Sequence, residues 1–104
     1  MTDQTIQRQV TVGVPEGLHL RPADAFVSLA KSFAAQIEVQ NKDVTADGKS
    51  ILELIALAAA HGAELTISAT GSDAQAAVDG LTSLVERNFD IIRDDDPAND
   101  SAST

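Results

Sequence analysis

Residues 10–30 read VTVGVPEGLHLRPADAFVSLA, and the spacing of the apolar residues changes within this stretch. Valine stands at positions 10, 12 and 14, which is the two-residue period of a strand with one buried side. After Pro22 the apolar residues recur every three or four positions, the period of a helix with one buried face; they are Ala25, Phe26, Leu29, Ala30 and Phe33. The stretch predicts a strand, a break at residues 15–17 and a helix that starts near Pro22.

The same two periods continue through the rest of the chain. Apolar residues alternate with polar ones at 35–40 and 65–70, and a short strand at 44–47 follows a predicted turn at 41–43. A short helix is predicted to start at Ser50, which precedes Glu53 by three positions as in a capping box, and to close at His61-Gly62. Its expected buried stripe is Ile51, Leu54, Ile55 and Ala58. Residues 71–73 are expected to cap a last helix with the apolar face Ala77, Val78, Leu81, Leu84 and Val85.

The resulting order of elements is β-α-β-β-α-β-α. Strands with a single apolar side need cover on that side only, so they indicate an antiparallel sheet with three helices layered on one face. The predicted fold class is α+β, an open-faced β-sandwich formed by residues 1–89. Residues 90–104 hold five of the sixteen acidic residues and are otherwise rich in Ser, Ala and Asn, and we interpret them as a disordered acidic tail.

Composition excludes several functional classes. The 104 residues include no cysteine and only two histidines, so disulfides, thiolate chemistry and a dense metal-ligand cluster are not expected. The net charge of −9 and the lack of a basic or aromatic stripe argue against nucleic-acid binding. No apolar run has the length of a membrane span or of a signal peptide core, so a cytoplasmic protein without membrane insertion is expected.

The segment Gly17-Leu18-His19-Leu20-Arg21-Pro22-Ala23 places a histidine at the junction between strand and helix. The start of a helix favours an anion, because its N–H groups have no intrahelical acceptor and the macrodipole is positive there. Arg21 adds a charged donor fork suited to phosphate oxygens, and neutral imidazole is a good nucleophile near pH 7. Gly17 is expected to give the loop freedom of movement. These features predict a nucleophile, His19, beside a phosphate cradle, although a lone histidine at this place is more often a surface residue or a cap.

The run GLHLRPA, followed by GKSILELIALAAAHGAELTISATG, resembles the HPr family of bacterial phosphocarriers over about residues 5–89. The resemblance implies an HPr-like sandwich with the strand order 1-4-2-3. It also implies that enzyme I phosphorylates His19 on Nδ1, that Arg21 stabilises the phosphate, and that the IIA domains of sugar permeases receive the group. Such a protein is a carrier and not an enzyme, and it needs no cofactor. We expect it to act as a monomer.

The resemblance carries two further expectations. Ser50 matches a serine that HPr kinase/phosphorylase modifies in some bacteria, although it is also a good helix N-cap. Partner docking is implied for Leu20, Ile51, Leu52 and Ile55. Leu52 is expected to be the most exposed residue of the second helix, and Leu54 and Ala58 are expected to be buried. Two residues depart from the family pattern: Leu20 replaces the usual Ala, and Glu53 replaces a common Gly, which puts the identity of the partner in question.

Two other functions stay open at this point. The chain could be a regulatory phosphocarrier that feeds no sugar transport, or a non-catalytic module that docks on a regulator through its apolar patch. A self-contained enzyme is disfavoured, because one histidine and one arginine leave no evident general acid. His61 is expected to have no direct role, since a histidine near a helix C-terminus already interacts favourably with the dipole.

Overall fold

A computed structural model describes residues 4–90 as four strands, three α-helices and a final 3₁₀ turn. The strands are β1 (Thr5–Thr11), β2 (Gln36–Asn41), β3 (Val44–Asp47) and β4 (Glu64–Thr70). The helices are α1 (Leu20–Ala30), α2 (Ile51–Ala56) and α3 (Ala74–Glu86), and the 3₁₀ turn spans Asn88–Asp90. The predicted acidic tail therefore lies outside the described residues, apart from Asp90.

The sheet is antiparallel throughout and has the order β1-β4-β2-β3. Opposite Val10 lies Leu65, and opposite Val39 lies Ile67, so apolar side chains of neighbouring strands meet on one face. The three helices cover that face, and the other stays polar and open. The predicted α+β open-faced sandwich and its strand order are confirmed. Within residues 4–90, every helix is too short or too polar to cross a membrane.

Helix α1 starts earlier than the apolar period indicates. His19 is its N-cap residue and Pro22 occupies the third helical position. Proline is compatible with that position because the N–H groups of a first turn have no intrahelical acceptor. The first intrahelical bond therefore comes next, from Ala23 N–H to the His19 carbonyl at 2.9 Å.

Helix α2 is shorter than predicted, and the expected burial of Ile55 and Ala58 is wrong, because both are exposed. The helix ends at Ala56, and Ala58 is exposed with a left-handed φ of 53°. The left-handed turn redirects the chain, so Leu57 and Ala59 become the buried residues. His61-Gly62 therefore does not close α2; it lies in the loop before β4, where Gly62 is left-handed at φ 88°.

Two predicted caps differ in their bonding. The Oγ of Ser50 accepts from Glu53 N–H at 3.3 Å, but the Glu53 carboxylate accepts from Asp47 N–H at 2.8 Å and not from Ser50. Asp73 occupies the N-cap position of α3 without capping it. Its two carboxylate oxygens accept from Ala34 N–H and Ala35 N–H, both at 2.8 Å, and so tie the start of α3 to the segment that leads into β2.

Candidate functional site

His19 presents a half-exposed imidazole at the start of α1. Its backbone is extended, with φ −102° and ψ −159°, and its side chain makes no capping hydrogen bond to the helix. The side chain is 47% exposed, and its Nε2 lies 3.9 Å from Oε1 of Glu16, beyond hydrogen-bond distance. The imidazole therefore lies beside a helix N-terminus but does not cap the helix.

The loop before His19 is clamped against the segment that follows α2. Leu18 N–H donates to the Ala59 carbonyl at 2.8 Å, and Leu18 itself is buried. Gly17 has φ 79°, and a Cβ at this position would lie 2.5 Å from the Ala59 oxygen and 3.0 Å from Ala60 Cα. Gly17 is therefore required for close backbone approach, which corrects the expectation that it gives the loop freedom. The clamp fixes the backbone immediately ahead of His19.

Arg21 lies exposed in the first turn of α1, two residues beyond His19. The helix N-terminus supplies a positive end at the same place. Residues 4–90 contain no group of three or more His, Asp or Glu side chains able to hold a metal ion. The chemistry available here is that of one nucleophile, one guanidinium and backbone N–H groups, a set suited to an anionic group.

Ser50 lies at the N-cap of α2 and is half-buried. Acidic groups surround it: the Glu53 side chain bonds back to Asp47 N–H, and the Asp47 carboxylate accepts from Lys49 N–H at 2.9 Å. The ammonium of Lys49 donates to the Phe33 carbonyl at 2.8 Å and is thereby directed toward the end of α1. A phosphate on Ser50 would thus meet a helix N-terminus and two neighbouring carboxylates.

Three large apolar side chains of α1 and α2 are exposed, and we call them the apolar patch: Leu20, Leu52 and Ile55. Their exposed fractions are 60%, 81% and 36%. Helices α1 and α2 pack against each other, which places both on the same side of the molecule as His19. Ile51, also predicted to dock partners, is half-buried against the core. Leu54 is fully buried and Leu52 is the most exposed, as predicted.

Sequence reasoning did not identify two residues that shape this site. Ala59 contributes only its carbonyl, and a backbone contact between residues 18 and 59 leaves no pattern in the sequence. Asn41 donates from Nδ2 to the Leu57 carbonyl at 3.0 Å, although its sequence context indicated nothing beyond a turn. His61 is exposed in the loop between α2 and β4.

A family model described as "PTS HPr component phosphorylation site" matches residues 6–87. The chain belongs to the HPr family. Members of this family are phosphocarriers of the phosphotransferase system, so this HPr domain is a carrier and not a catalytic enzyme.

The similarity extends to curated relatives and solved structures. This HPr chain is 42% identical over 78 residues to the phosphocarrier protein HPr of Haemophilus influenzae, covering 75% of the chain and 92% of the relative. An HPr-C-His structure from Thermoanaerobacter tengcongensis superposes with a TM-score of 0.80 at 31% identity, covering 85% of this chain and 99% of that one.

Other relatives are much longer than this chain. It is 33% identical over 88 residues to the phosphoryl donor subunit DhaM of a PEP-dependent dihydroxyacetone kinase from Providencia stuartii, covering 85% of the chain but 18% of DhaM. It is 36% identical over 85 residues to a multiphosphoryl transfer protein from Xanthomonas campestris. That match covers 82% of this chain but only 10% of the relative. The HPr domain thus occurs both alone and as one part of larger phosphoryl-transfer proteins.

Proposed function

We propose that His19 accepts a phosphoryl group from phosphorylated enzyme I and passes it to a IIA domain of a sugar permease. The observation that carries this proposal is the half-exposed imidazole at the N-cap of α1, without a capping bond. A surface nucleophile on a clamped loop suits a carrier, because both the donor and the acceptor must reach the same atom in turn.

The transfer balances with His19 alone as the covalent group. The lone pair of Nδ1 attacks phosphorus, the new N–P bond forms, and the bond from phosphorus to the donor breaks with its electron pair left on the donor. The second transfer reverses these roles toward the acceptor. The attack needs the lone pair of Nδ1, so the reactive tautomer carries its proton on Nε2, the nitrogen that lies 3.9 Å from Glu16 Oε1.

Arg21 and the first turn of α1 would stabilise the phosphoryl group on His19. The guanidinium is permanently charged and can donate two parallel hydrogen bonds to phosphate oxygens. Backbone N–H groups at a helix start are already oriented toward an anion, so little reorganisation accompanies the transfer. Most other catalytic groups could then come from the partners.

A relay experiment tests this function. Labelled phosphoenolpyruvate, enzyme I and a IIA domain are combined, and label on the IIA domain is measured with the chain present, absent or carrying His19→Ala. We expect label to reach the IIA domain only with the wild-type chain. Transfer with His19→Ala equal to wild type would refute His19 as the carrier residue, and a loaded chain that never unloads would refute this acceptor.

We propose the apolar patch as the docking surface for these partners. Exposed Leu52 offers the largest apolar area, and contacts of this kind dominate the energy of small interfaces. Leu52→Ala should lower kcat/KM for phosphoryl uptake about tenfold, mainly through KM. Val44→Ala is the matched control, because Val44 is 52% exposed in β3 and outside the patch. An equal loss of kcat/KM in both variants would show that the apolar patch is not the docking surface.

We propose that phosphorylation of Ser50 by a kinase such as HPr kinase/phosphorylase slows phosphoryl uptake at His19. The added charge would lie beside the Glu53 and Asp47 carboxylates and oppose docking of an acidic partner surface. Ser50→Asp should reduce the uptake rate about tenfold, whereas Ser50→Asn should stay near wild type, because both are good N-caps and only one is charged. A similar rate for the two variants would exclude an electrostatic switch.

The identity of the acceptor is the least constrained part of the proposal. A regulatory acceptor or an enzyme subunit is the second candidate, supported by the similarity to the DhaM phosphoryl donor subunit. The departures at Leu20 and Glu53 favour an altered partner, although the Glu53 carboxylate is bonded to Asp47 N–H and not extended over the patch. We further propose that the chain acts as a monomer in the cytoplasm. Relay assays with IIA domains and with other acceptors from the same organism separate the candidates.

A further inference from the structure

The side chain of the last residue of β2 bonds to the segment that clamps the His19 loop. We call residues 57–63 the connecting segment, since they join α2 to β4. Its first carbonyl, that of Leu57, accepts from Asn41 Nδ2 at 3.0 Å. Its third residue, Ala59, supplies the oxygen that receives Leu18 N–H. Asn41 and His19 are thus linked through two hydrogen bonds and a short piece of backbone.

Between these two bonds lies a residue in an unfavourable conformation. Ala58 has φ 53°, a left-handed value that alanine adopts only when the surroundings impose it. The bond from Asn41 helps to hold the peptide between Leu57 and Ala58 in the orientation that accompanies the left-handed φ of Ala58. The N–H of the same peptide donates to the Ile55 carbonyl at 3.0 Å. Loss of the Asn41 bond would leave the peptide held on its N–H side only and let Ala58 shift toward an ordinary φ.

Relaxation of Ala58 would displace the acceptor of the His19 loop. The Ala59 carbonyl lies two peptides beyond the Leu57 carbonyl and receives Leu18 N–H at 2.8 Å. The other end of the connecting segment stays in place, because Gly62 N–H donates to the Val12 carbonyl and Val12 N–H donates to the Ala63 carbonyl. A change at Ala58 therefore acts on the Ala59 end, and through Leu18 on the N-cap of α1.

We propose that Asn41 is a positioning residue for phosphoryl transfer at His19, acting through the Leu57 carbonyl, Ala58 and the Ala59 clamp. The inference rests on the proposed function of His19 as the phosphoryl acceptor. In-line transfer depends on placement of the attacking nitrogen to within a fraction of an ångström, so a loosened N-cap lowers the transfer rate without removing any reacting group.

The test compares Asn41→Asp with Gln40→Glu. Aspartate has the shape of asparagine but cannot donate to a carbonyl when ionised. Gln40 is the matched control, because it directly precedes Asn41 in β2. Its Nε2 donates to the Lys42 carbonyl at 2.8 Å, which takes no part in the clamp. We expect Asn41→Asp to lower kcat for phosphoryl uptake about tenfold with KM unchanged. Gln40→Glu adds the same charge at the neighbouring position but leaves the bond from Asn41 to Leu57 in place, so it should stay within about twofold of wild type.

Two further measurements separate positioning from general loss of stability. Ala58→Gly in the Asn41→Asp background should restore most of the rate, because glycine holds the left-handed turn without strain. Amide hydrogen exchange should be faster at Leu18 in Asn41→Asp and close to wild type at core residues of β4. A wild-type kcat despite faster exchange at Leu18, an equal loss in Gln40→Glu, or a loss that Ala58→Gly does not restore would each overturn the proposal. The exchange measurement requires no phosphorylation, so it still tests the linkage if enzyme I fails to modify the chain.

Discussion

Thr82 is a buried polar residue in the apolar face of α3. Its side-chain oxygen has no hydrogen-bond partner among the described residues, and the residue is 3% exposed. A buried hydroxyl without a partner gives up its hydration and gains nothing in exchange. Its neighbours on this face are aliphatic. A side chain of the same shape without the hydroxyl should therefore be more stable at this position.

Thr82→Val should therefore raise the free energy of unfolding by about 1 kcal/mol. Urea unfolding measures this as a higher midpoint with an unchanged slope. Thr82→Ser is the control, because it keeps the hydroxyl and removes the buried methyl group, and it should lower the free energy of unfolding by about 1 kcal/mol. A lower midpoint for Thr82→Val would mean that the hydroxyl is satisfied in solution.

The clamp between the His19 loop and the connecting segment requires a glycine at position 17. Gly17 and Gly62 are both left-handed, with φ 79° and 88°, but only Gly17 approaches another backbone. A Cβ at Gly62 would meet nothing within 4 Å. Alanine substitution at these two glycines therefore separates the energetic cost of the left-handed backbone from the cost of the close contact.

Gly62→Ala should cost about 1 kcal/mol, the penalty of a left-handed alanine. Gly17→Ala should cost about 3 kcal/mol or more, because its Cβ also collides with the Ala59 carbonyl and Ala60. Urea unfolding of both variants gives the comparison. Equal losses would show that the loop can move away from the connecting segment, and the clamp would not then position His19.

Element boundaries show where sequence reasoning succeeds and where it fails. The period change between Val14 and Ala25 predicts β1 and α1, because each period depends on side chains of the same segment. The end of α2 is not predictable this way, since the run ALAAA at 56–60 favours helix by propensity. The structure ends the helix at Ala56, because Leu57 and Ala59 enter the core and β4 must begin at Glu64.

At the scale of the whole molecule, one-sided strands predict a layered α+β fold but not the order of strands. β4 lies between β1 and β2, and these pairings join residues far apart in the chain. The strand order was available only through the resemblance carried by GLHLRPA. The position of His19 at a helix start was likewise predictable, whereas its clamp to Ala59 was not, because the contact arises only when the sheet has formed.

Phe89 defines the end of the folded domain. It is 2% exposed, and the turn that holds it has left-handed residues at Asn88, Phe89 and Asp90. Arg87 donates to both carboxylate oxygens of Asp90 at 3.0 and 3.1 Å, which lowers the pKa of that carboxyl. A chain ending after Asp90 should keep the wild-type urea midpoint and the wild-type uptake rate.

A chain ending after Arg87 should instead lose about 3 kcal/mol, because the buried Phe89 is removed from the 3₁₀ turn that packs against α1 and α3. Urea unfolding of the two truncated chains distinguishes these outcomes. A large loss on removing only residues 91–104 would contradict the proposed division between the domain and the acidic tail, and would give the tail a structural role.

We propose that one histidine, His19, carries the phosphoryl group. Intact mass after incubation with phosphoenolpyruvate and enzyme I tests it most directly, with His19→Ala and His61→Ala measured in parallel, since these are the two histidines of the chain. We expect one acid-labile phosphoryl group on the wild type and on His61→Ala, and none on His19→Ala. A phosphoryl group that persists on His19→Ala, or that is lost with His61→Ala, would contradict it.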